Sequence, residues 1–278
     1  RIFETIFSFP LKKISKSLIV FLLLTTFSVV SQGGNTSLMD WEIVAELPYE
    51  KGLPSQGYAG SFAGISNDVM LIAGGANFPN GMPWEGGKKK WSDKIFVLTK
   101  KGDKYQWHNK TFNLPHALAY GYSITIPDGV LCIGGRDASQ FYSDVFLMKW
   151  DEKSERVIIQ NFPSLPIPLA HLSASINDKK VYVAGGEYMG KTTSSFFSLD
   201  LSSVYSSESK WIELASLPGA TRSFSVLQSQ SNGTEDGLYL FSGRSYDTDG
   251  FLEILSDGYF YSPLKNNWKS IGEEINFP

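Results

Sequence analysis

Four times along the chain an apolar run ends in a pair of small residues. The runs are Val69-Met-Leu-Ile-Ala-Gly-Gly75, Val130-Leu-Cys-Ile-Gly-Gly135, Val181-Tyr-Val-Ala-Gly-Gly186 and Leu238-Tyr-Leu-Phe-Ser-Gly243, and their last glycines lie 60, 51 and 57 residues apart. A second apolar stretch follows each, at Lys94–Leu98, Asp144–Met148, Ser195–Leu199 and Gly258–Tyr261. Then a Trp leads to a Leu-Pro or Phe-Pro: Trp107 to Pro115, Trp150 to Pro163 or Pro166, Trp211 to Pro218, and Trp268 to Pro278. A further strand opens each unit, as at Tyr58-Ala-Gly-Ser-Phe62 and His171-Leu-Ser-Ala-Ser-Ile176. Short apolar runs bounded by turn residues read as strands.

Four strands per unit at ~50 residues is the kelch period, and each such unit is one propeller blade. The pattern predicts an all-β chain, a kelch-type β-propeller with four complete four-stranded blades. They run roughly over 49–113, 116–164, 167–216 and 219–276. The double glycine should close the second strand where a side chain would crowd neighbouring backbone. Trp41, Trp107, Trp150, Trp211 and Trp268 read as structural residues on outer strands, and Cys132 as a core thiol. Residues 41–47 look like a fifth outer strand with no inner strands before it. The chain stops at a repeat boundary, so the expectation is a fragment lacking at least one blade. A closed four-bladed ring would leave Trp41 outside.

The first 34 residues differ. Lys12, Lys13 and Lys16 precede an apolar run of 13 residues, Leu18–Val30, and small polar residues follow. That reads as a secretory signal peptide, shorter than the ~20 apolar residues of a spanning helix. It implies a periplasmic or secreted protein over 35–278, with no stable membrane association after cleavage. Apolar residues at 42% and charged residues at 19% of 278 fit a chain with a buried core. A net charge of −3 argues against nucleic acid as a partner. One Cys rules out an intrachain disulfide and a Cys-based zinc site, and three His leave little for a His-rich site, so no metal is expected. The 26 Gly and seven Trp fit an all-β repeat protein.

The stretch Gly60-Ser-Phe-Ala-Gly-Ile-Ser-Asn-Asp68, then Ala73-Gly-Gly-Ala76, Glu85-Gly-Gly-Lys-Lys89 and Ser92-Asp93, resembles the bacterial N-acetylneuraminate mutarotase (epimerase) family. Ala119-Tyr-Gly-Tyr122 and Ile133-Gly-Gly135 continue the match, which is close over roughly 55–148. The matching blades come first here, so the chain resembles a cyclically permuted branch. The resemblance implies a six-bladed propeller, of which two blades would be missing. It also implies an isomerase that interconverts the anomers of a small acidic sugar, sialic acid, without a cofactor.

Mutarotation opens the sugar ring to the keto form and recloses it on the other face. One group must deprotonate the anomeric hydroxyl while another protonates the ring oxygen. The sugar's carboxylate suits the planar fork of Arg. Residues just after each double glycine should form a ring at one mouth of the channel: Ala76 and Asn77, Arg136 and Asp137, Glu187, and Arg244. Residues entering each first strand should form another: Tyr58, His116, Tyr120, His171 and Arg222. The long loop from Asn77 to Trp91 adds Glu85 and Lys88, and a lid or substrate contact is expected of it. The substrate-binding set read from the sequence is therefore Asn77, Glu85, Lys88, Arg136, Arg222 and Arg244.

No catalytic residue can be assigned. The family's Gly-Glu-x-x-Pro-Gly-x-Arg-Thr motif is not present, since Gly186-Glu187 continues as Tyr-Met-Gly-Lys-Thr-Thr193. The chain alone is therefore expected to be inactive if the motif lies in a missing blade. The alternative is a non-catalytic kelch module that holds a glycan or a protein. An incomplete propeller should also expose apolar blade faces and be aggregation-prone.

Overall fold

A computed structural model describes residues 42–48, 52, 55–246 and 249–272. The chain divides into two units, Arg1–Ile43 and Val44–Pro278, and every strand among the described residues lies in the second. The segment expected to be a signal peptide and Trp41 lie outside the described residues.

The described residues are all-β, arranged as a kelch-type propeller. Four antiparallel sheets succeed one another, and in each the strands are ordered as they occur in the chain. The first contains Phe62–Ser66, Val69–Ala73, Lys94–Lys101 and Lys104–Trp107, with Phe112–Asn113 as a second partner of the third strand. The second contains Tyr122–Ile126, Gly129–Ile133, Val145–Asp151 and Arg156–Asn161. The third contains Ser173–Asn177, Lys180–Ala184, Phe196–Asp200 and Ile212–Glu213. The fourth contains Val226–Ser231, Asp236–Phe241, Gly258–Ser262 and Asn267–Gly272.

The second strands are continuously apolar because both their faces are covered. Successive side chains alternate between faces. Val130 and Cys132 pack toward the first sheet with Phe62, Leu71 and Val97. Leu131 and Ile133, one residue out of phase, pack toward the third with Val181 and Val183. Tyr182 and Ala184 then face Leu238 and Leu240 of the fourth. The second strands of the second and third sheets thus each serve two cores, and Cys132 is a buried free thiol whose pKa burial pushes up.

The double glycine is explained by the next sheet. Gly74, Gly134 and Gly185 take left-handed φ values of 67°, 61° and 60°. A Cβ at these positions would collide with the carbonyl oxygens of Leu118, Leu169 and Arg222. The following glycines, Gly75, Gly135 and Gly186, donate their N–H groups to those same three oxygens, each at 2.8 Å. One glycine makes room for the carbonyl and the next holds it.

Tryptophan repeats a second link between sheets. Trp211 Nε1 donates to the Pro163 carbonyl at 2.8 Å, and Trp268 Nε1 to that of Ala215 at 2.9 Å. Trp107 Nε1 donates to Glu46. Two sequence expectations need correction here. Residues 42–48 form no strand, and this segment instead supplies the Glu46 carbonyl to Trp107. Trp150 lies on the third strand of its sheet, not on the outer one. The outer strand there carries Ile159 opposite Met148, as Trp107 stands opposite Leu98. Trp150 packs instead on His108 and Phe112 of the first sheet.

The first strands are joined by side-chain hydroxyls. Ser123 Oγ accepts from the Ala63 N–H and donates to its carbonyl, both at 3.0 Å. Thr125 accepts from the Ile65 N–H at 3.0 Å, and Ser175 from the Ser229 N–H at 3.0 Å.

Gly134→Ala should lower stability by about 2–3 kcal/mol, since it combines a left-handed L-residue with a displaced carbonyl. Urea unfolding of the two proteins checks this, and Gly190→Ala is the control. Gly190 is also left-handed, at φ 76°, but a Cβ there meets nothing, so its cost should be only the backbone share.

Candidate functional site

Two rows of residues meet at one end of the sheets. The link into each first strand forms a β-bridge with the residue after each double glycine: Ala59 with Ala76, Ala119 with Arg136, Ala170 with Glu187, and Ser223 with Arg244. The next residues in the first row are Gly60, Tyr120, His171 and Phe224. All four are left-handed, with φ of 66°, 63°, 54° and 56°. Non-glycine residues seldom hold this conformation, and clusters of them point to function. Here a hydrogen-bonded staircase holds it. Tyr120 N–H donates to Gly60 at 2.8 Å, His171 N–H to Tyr120 at 2.7 Å, and Phe224 N–H to His171 at 2.9 Å.

The side chains on this staircase form a ladder. The rings of Tyr120 and His171 lie 4.9 Å apart, and those of His171 and Phe224 stack at 4.2 Å. The Arg244 guanidinium covers Phe224 at 3.8 Å and approaches Glu187 to 3.8 Å. At the other end Lys89 Nζ donates to the Tyr120 hydroxyl at 2.8 Å. Arg136 lies over Phe141 at 4.6 Å. Cations above aromatic faces gain from the ring quadrupole while keeping their charge available.

His171 records the field of this end. Burial first, and then the charges of Arg244, Arg136 and Lys89, lower its pKa to about 4. It is therefore neutral at ordinary pH. Asp137 is the local acid most firmly held ionised. Burial pushes it up, but hydrogen bonds from Tyr142 and from the N–H groups of Ser139 and Gln140 outweigh this and bring it to about 2.

Beside the ladder is a cleft of about 810 Å³ lined by Tyr58, Asn77, Phe78, Met82, Glu85 and Tyr120, among others. The loop Asn77–Trp91 forms one wall, held by the paired strands Ala76–Asn77 and Lys90–Trp91. Asn77 Nδ2 donates to the Gly57 carbonyl at 3.0 Å. Glu85 Oε2 accepts from the Met82 N–H at 2.9 Å and closes a short turn over Pro83–Glu85. Among the described residues no group of three or more His, Cys, Asp or Glu could hold a metal ion.

Of the six residues read from the sequence, Asn77 and Glu85 meet in the cleft, while Arg136 and Arg244 flank the ladder. Lys88 is exposed, and its neighbour Lys89 is the one that reaches Tyr120. Arg222 is a correction. It is 0% exposed and makes a bidentate pair with Asp257 at 2.7 and 2.8 Å. Its remaining bonds go to the carbonyls of Ser242, Ala220 and Pro218. It occupies the place that Leu118 and Leu169 hold in the preceding sheets, two residues before the staircase position. Its guanidinium is therefore spent inside the fold. His116 also turns away, stacking on Tyr142 at 4.2 Å with Nε2 3.3 Å from Asp144. The sequence pattern does not single out Phe224, although it follows Ser223 as Tyr120 follows Ala119.

Arg222→Leu should cost about 3 kcal/mol or more, because it strands a partly buried carboxylate. Arg222→Leu with Asp257→Leu should recover much of that loss, and a double-mutant cycle in urea measures the coupling. His171 gives a pH signature. Its folded pKa lies below the ordinary value of 6.5, so the unfolded chain binds more protons between the two values. Stability should fall as pH drops from about 6.5 to about 4. The imidazole carbon resonances of His171 should titrate near the lower end, and a midpoint near 6.5 would contradict the packing described.

Residues 24–158 match the family model described as N-acetylneuraminate epimerase. The N-acetylneuraminate epimerase of Brucella melitensis biotype 1 is 36% identical over 125 residues, covering 41% of this chain and 31% of the relative. That of Yersinia enterocolitica serotype O:8 is 41% identical over 97 residues, covering 31% of this chain and 23% of the relative. The matched stretch thus spans under a third of either relative's length. In three dimensions the chain is similar to the solved structure of YjhT, with a TM-score of 0.60 and 13% identity over 80% of this chain and 72% of that one. At that identity the likeness concerns the fold. The matched stretch contains the cleft, the loop over it, and Lys89, Tyr120 and Arg136, and over it the chain is similar to the N-acetylneuraminate epimerases.

Proposed function

We propose that the ladder end of the propeller binds a small acidic sugar of the sialic acid class and interconverts its anomers, without a cofactor. The observation that carries this is the convergence of Lys89, Arg136 and Arg244 on the neutral His171. These cations can take a carboxylate. Asn77 and Glu85 line the adjoining cleft and can reach its hydroxyl groups. Arg136 and Arg244 replace the three-arginine set read from the sequence, because Arg222 is committed to Asp257. We further propose that the first 34 residues direct secretion to the periplasm or exterior and that further blades complete the ring.

A specific observation favours a second reading, a glycan-binding module without catalysis. Glu187, the acid that follows the third double glycine, is buried beside Arg244 rather than turned to the cleft.

Proton NMR of α- to β-N-acetylneuraminate exchange separates the two, at a pH of slow spontaneous exchange and with heat-denatured protein as control. The mutarotase reading expects acceleration. Binding without acceleration selects the module, and neither would reject both. Arg136→Ala and Arg244→Ala should each weaken binding by about 10-fold or more, the worth of a charged hydrogen bond.

A further inference from the structure

We infer that Tyr120 and Lys89 form a proton-transfer pair at the cleft, Tyr120 handing its phenolic proton to the sugar's ring oxygen and Lys89 holding the phenolate that results. The inference rests on the mutarotase reading and adds the acid that reading lacks.

Three observations carry it. First, Tyr120 is the ladder residue that lines the cleft. Second, its hydroxyl accepts from Lys89 Nζ at 2.8 Å, so a cation is already in place where negative charge would develop. Lys89 is held there by three rings, with Nζ 5.6 Å from the centroid of Phe78, 5.6 Å from Trp91 and 4.9 Å from Tyr120. Such a cage fixes the ammonium, and among the described residues no carboxylate pairs with it to cancel its charge. Third, the phenol cannot drift. Its backbone is pinned on both sides by the staircase, and its ring lies over Gly60, where a Cβ would collide with it. The fourth position of this staircase presents only Phe224, which has no proton to give. His171, the group packed against Tyr120 on its other side, is neutral.

Atoms and electrons balance through ring opening. The bond from the anomeric carbon to the ring oxygen breaks, and its electron pair stays on that oxygen, which takes the Tyr120 proton. The anomeric hydroxyl gives its proton to the Glu85 carboxylate, and the freed pair forms the keto C=O. Tyr120 is left as phenolate beside the Lys89 ammonium, and Glu85 as the acid. Rotation about the bond next to the carbonyl presents the other face. The ring hydroxyl then adds back and returns its proton to Tyr120, while the new anomeric oxygen recovers the proton from Glu85. Nothing is consumed.

The test uses the full chain with ¹³C-labelled tyrosine at one fixed pH, Tyr120 being assigned by loss of its signal in Tyr120→Phe. Lys89→Met, which removes the donor to the phenol oxygen, should move the Tyr120 ring-carbon resonance, and Lys89→Arg, which keeps a donor, should restore part of the change. In the anomer-exchange assay Tyr120→Phe should lower kcat by about 100-fold with KM little changed, the usual worth of a general acid. Glu85→Gln should do the same, since Gln keeps the acceptor that the Met82 N–H needs. A Tyr120 resonance indifferent to Lys89 overturns the pair, whether or not the protein exchanges anomers. Full kcat in Tyr120→Phe overturns it equally. Failure of the unaltered protein to exchange anomers, with the Lys89-dependent resonance intact, overturns the choice of sugar while the pair stands.

Discussion

The structure depends on three carbonyl oxygens, those of Leu118, Leu169 and Arg222. Each enters the preceding sheet just past its second strand, where a glycine leaves room and the next glycine donates a hydrogen bond. The approach fixes how close adjacent sheets lie, and so which side chains share a core. It also fixes the residues two further along, Tyr120, His171 and Phe224, in a conformation that projects one side chain per sheet to the same end. The fold and the candidate site thus share one backbone device. The stability of the blade contact and the placement of the ladder cannot be tuned separately.

Much of this was legible in the sequence, for physical reasons. Apolar runs ending in Gly-Gly mark a strand covered on both faces and a close approach behind it, and both features were found. Trp150 misled because a Trp followed by a proline is only a sign of the outer strand, whereas Ile159 occupies that position. Arg222 misled because charge at a loop suggests solvent. The periodicity gave no offset between Arg222 and the staircase, and Asp257, 35 residues on, was invisible as its partner. Tyr, His and Phe carry no sequence mark of left-handed backbone, so the ladder needed coordinates. The choice of Lys89 over Lys88 turned on strand pairing, which places Asn77 opposite Lys90 and swings the preceding side chain toward Tyr120.

The electrostatic plan is divided. Arg222 and Asp257 neutralise each other within the fold. Burial pushes the Asp257 carboxyl up, but the hydrogen bonds from Arg222 and Tyr259 outweigh it and hold it below its ordinary value. Lys89, Arg136 and Arg244 instead rest on aromatic faces, and among the described residues only Arg244 is near a carboxylate, Glu187, at 3.8 Å. They share that end with the carboxylates of Glu85, Asp137 and Glu187, so an anion would meet individual cations at contact distance rather than a field of one sign.

The hydroxyls between first strands have a consequence of a different kind. A first strand has a ladder partner on one side only, and its other edge shows bare N–H and C=O groups. Such edges recruit foreign strands. Ser123 occupies both backbone groups of Ala63, while Thr125 and Ser175 occupy the N–H groups of Ile65 and Ser229. Hydroxyls are short enough to track strands that diverge with sheet twist, where a backbone ladder could not. A few serines and threonines thus act as insulation along the axis, making these edges poor templates for strand addition. Replacing them with valine would preserve strand propensity while restoring the hazard.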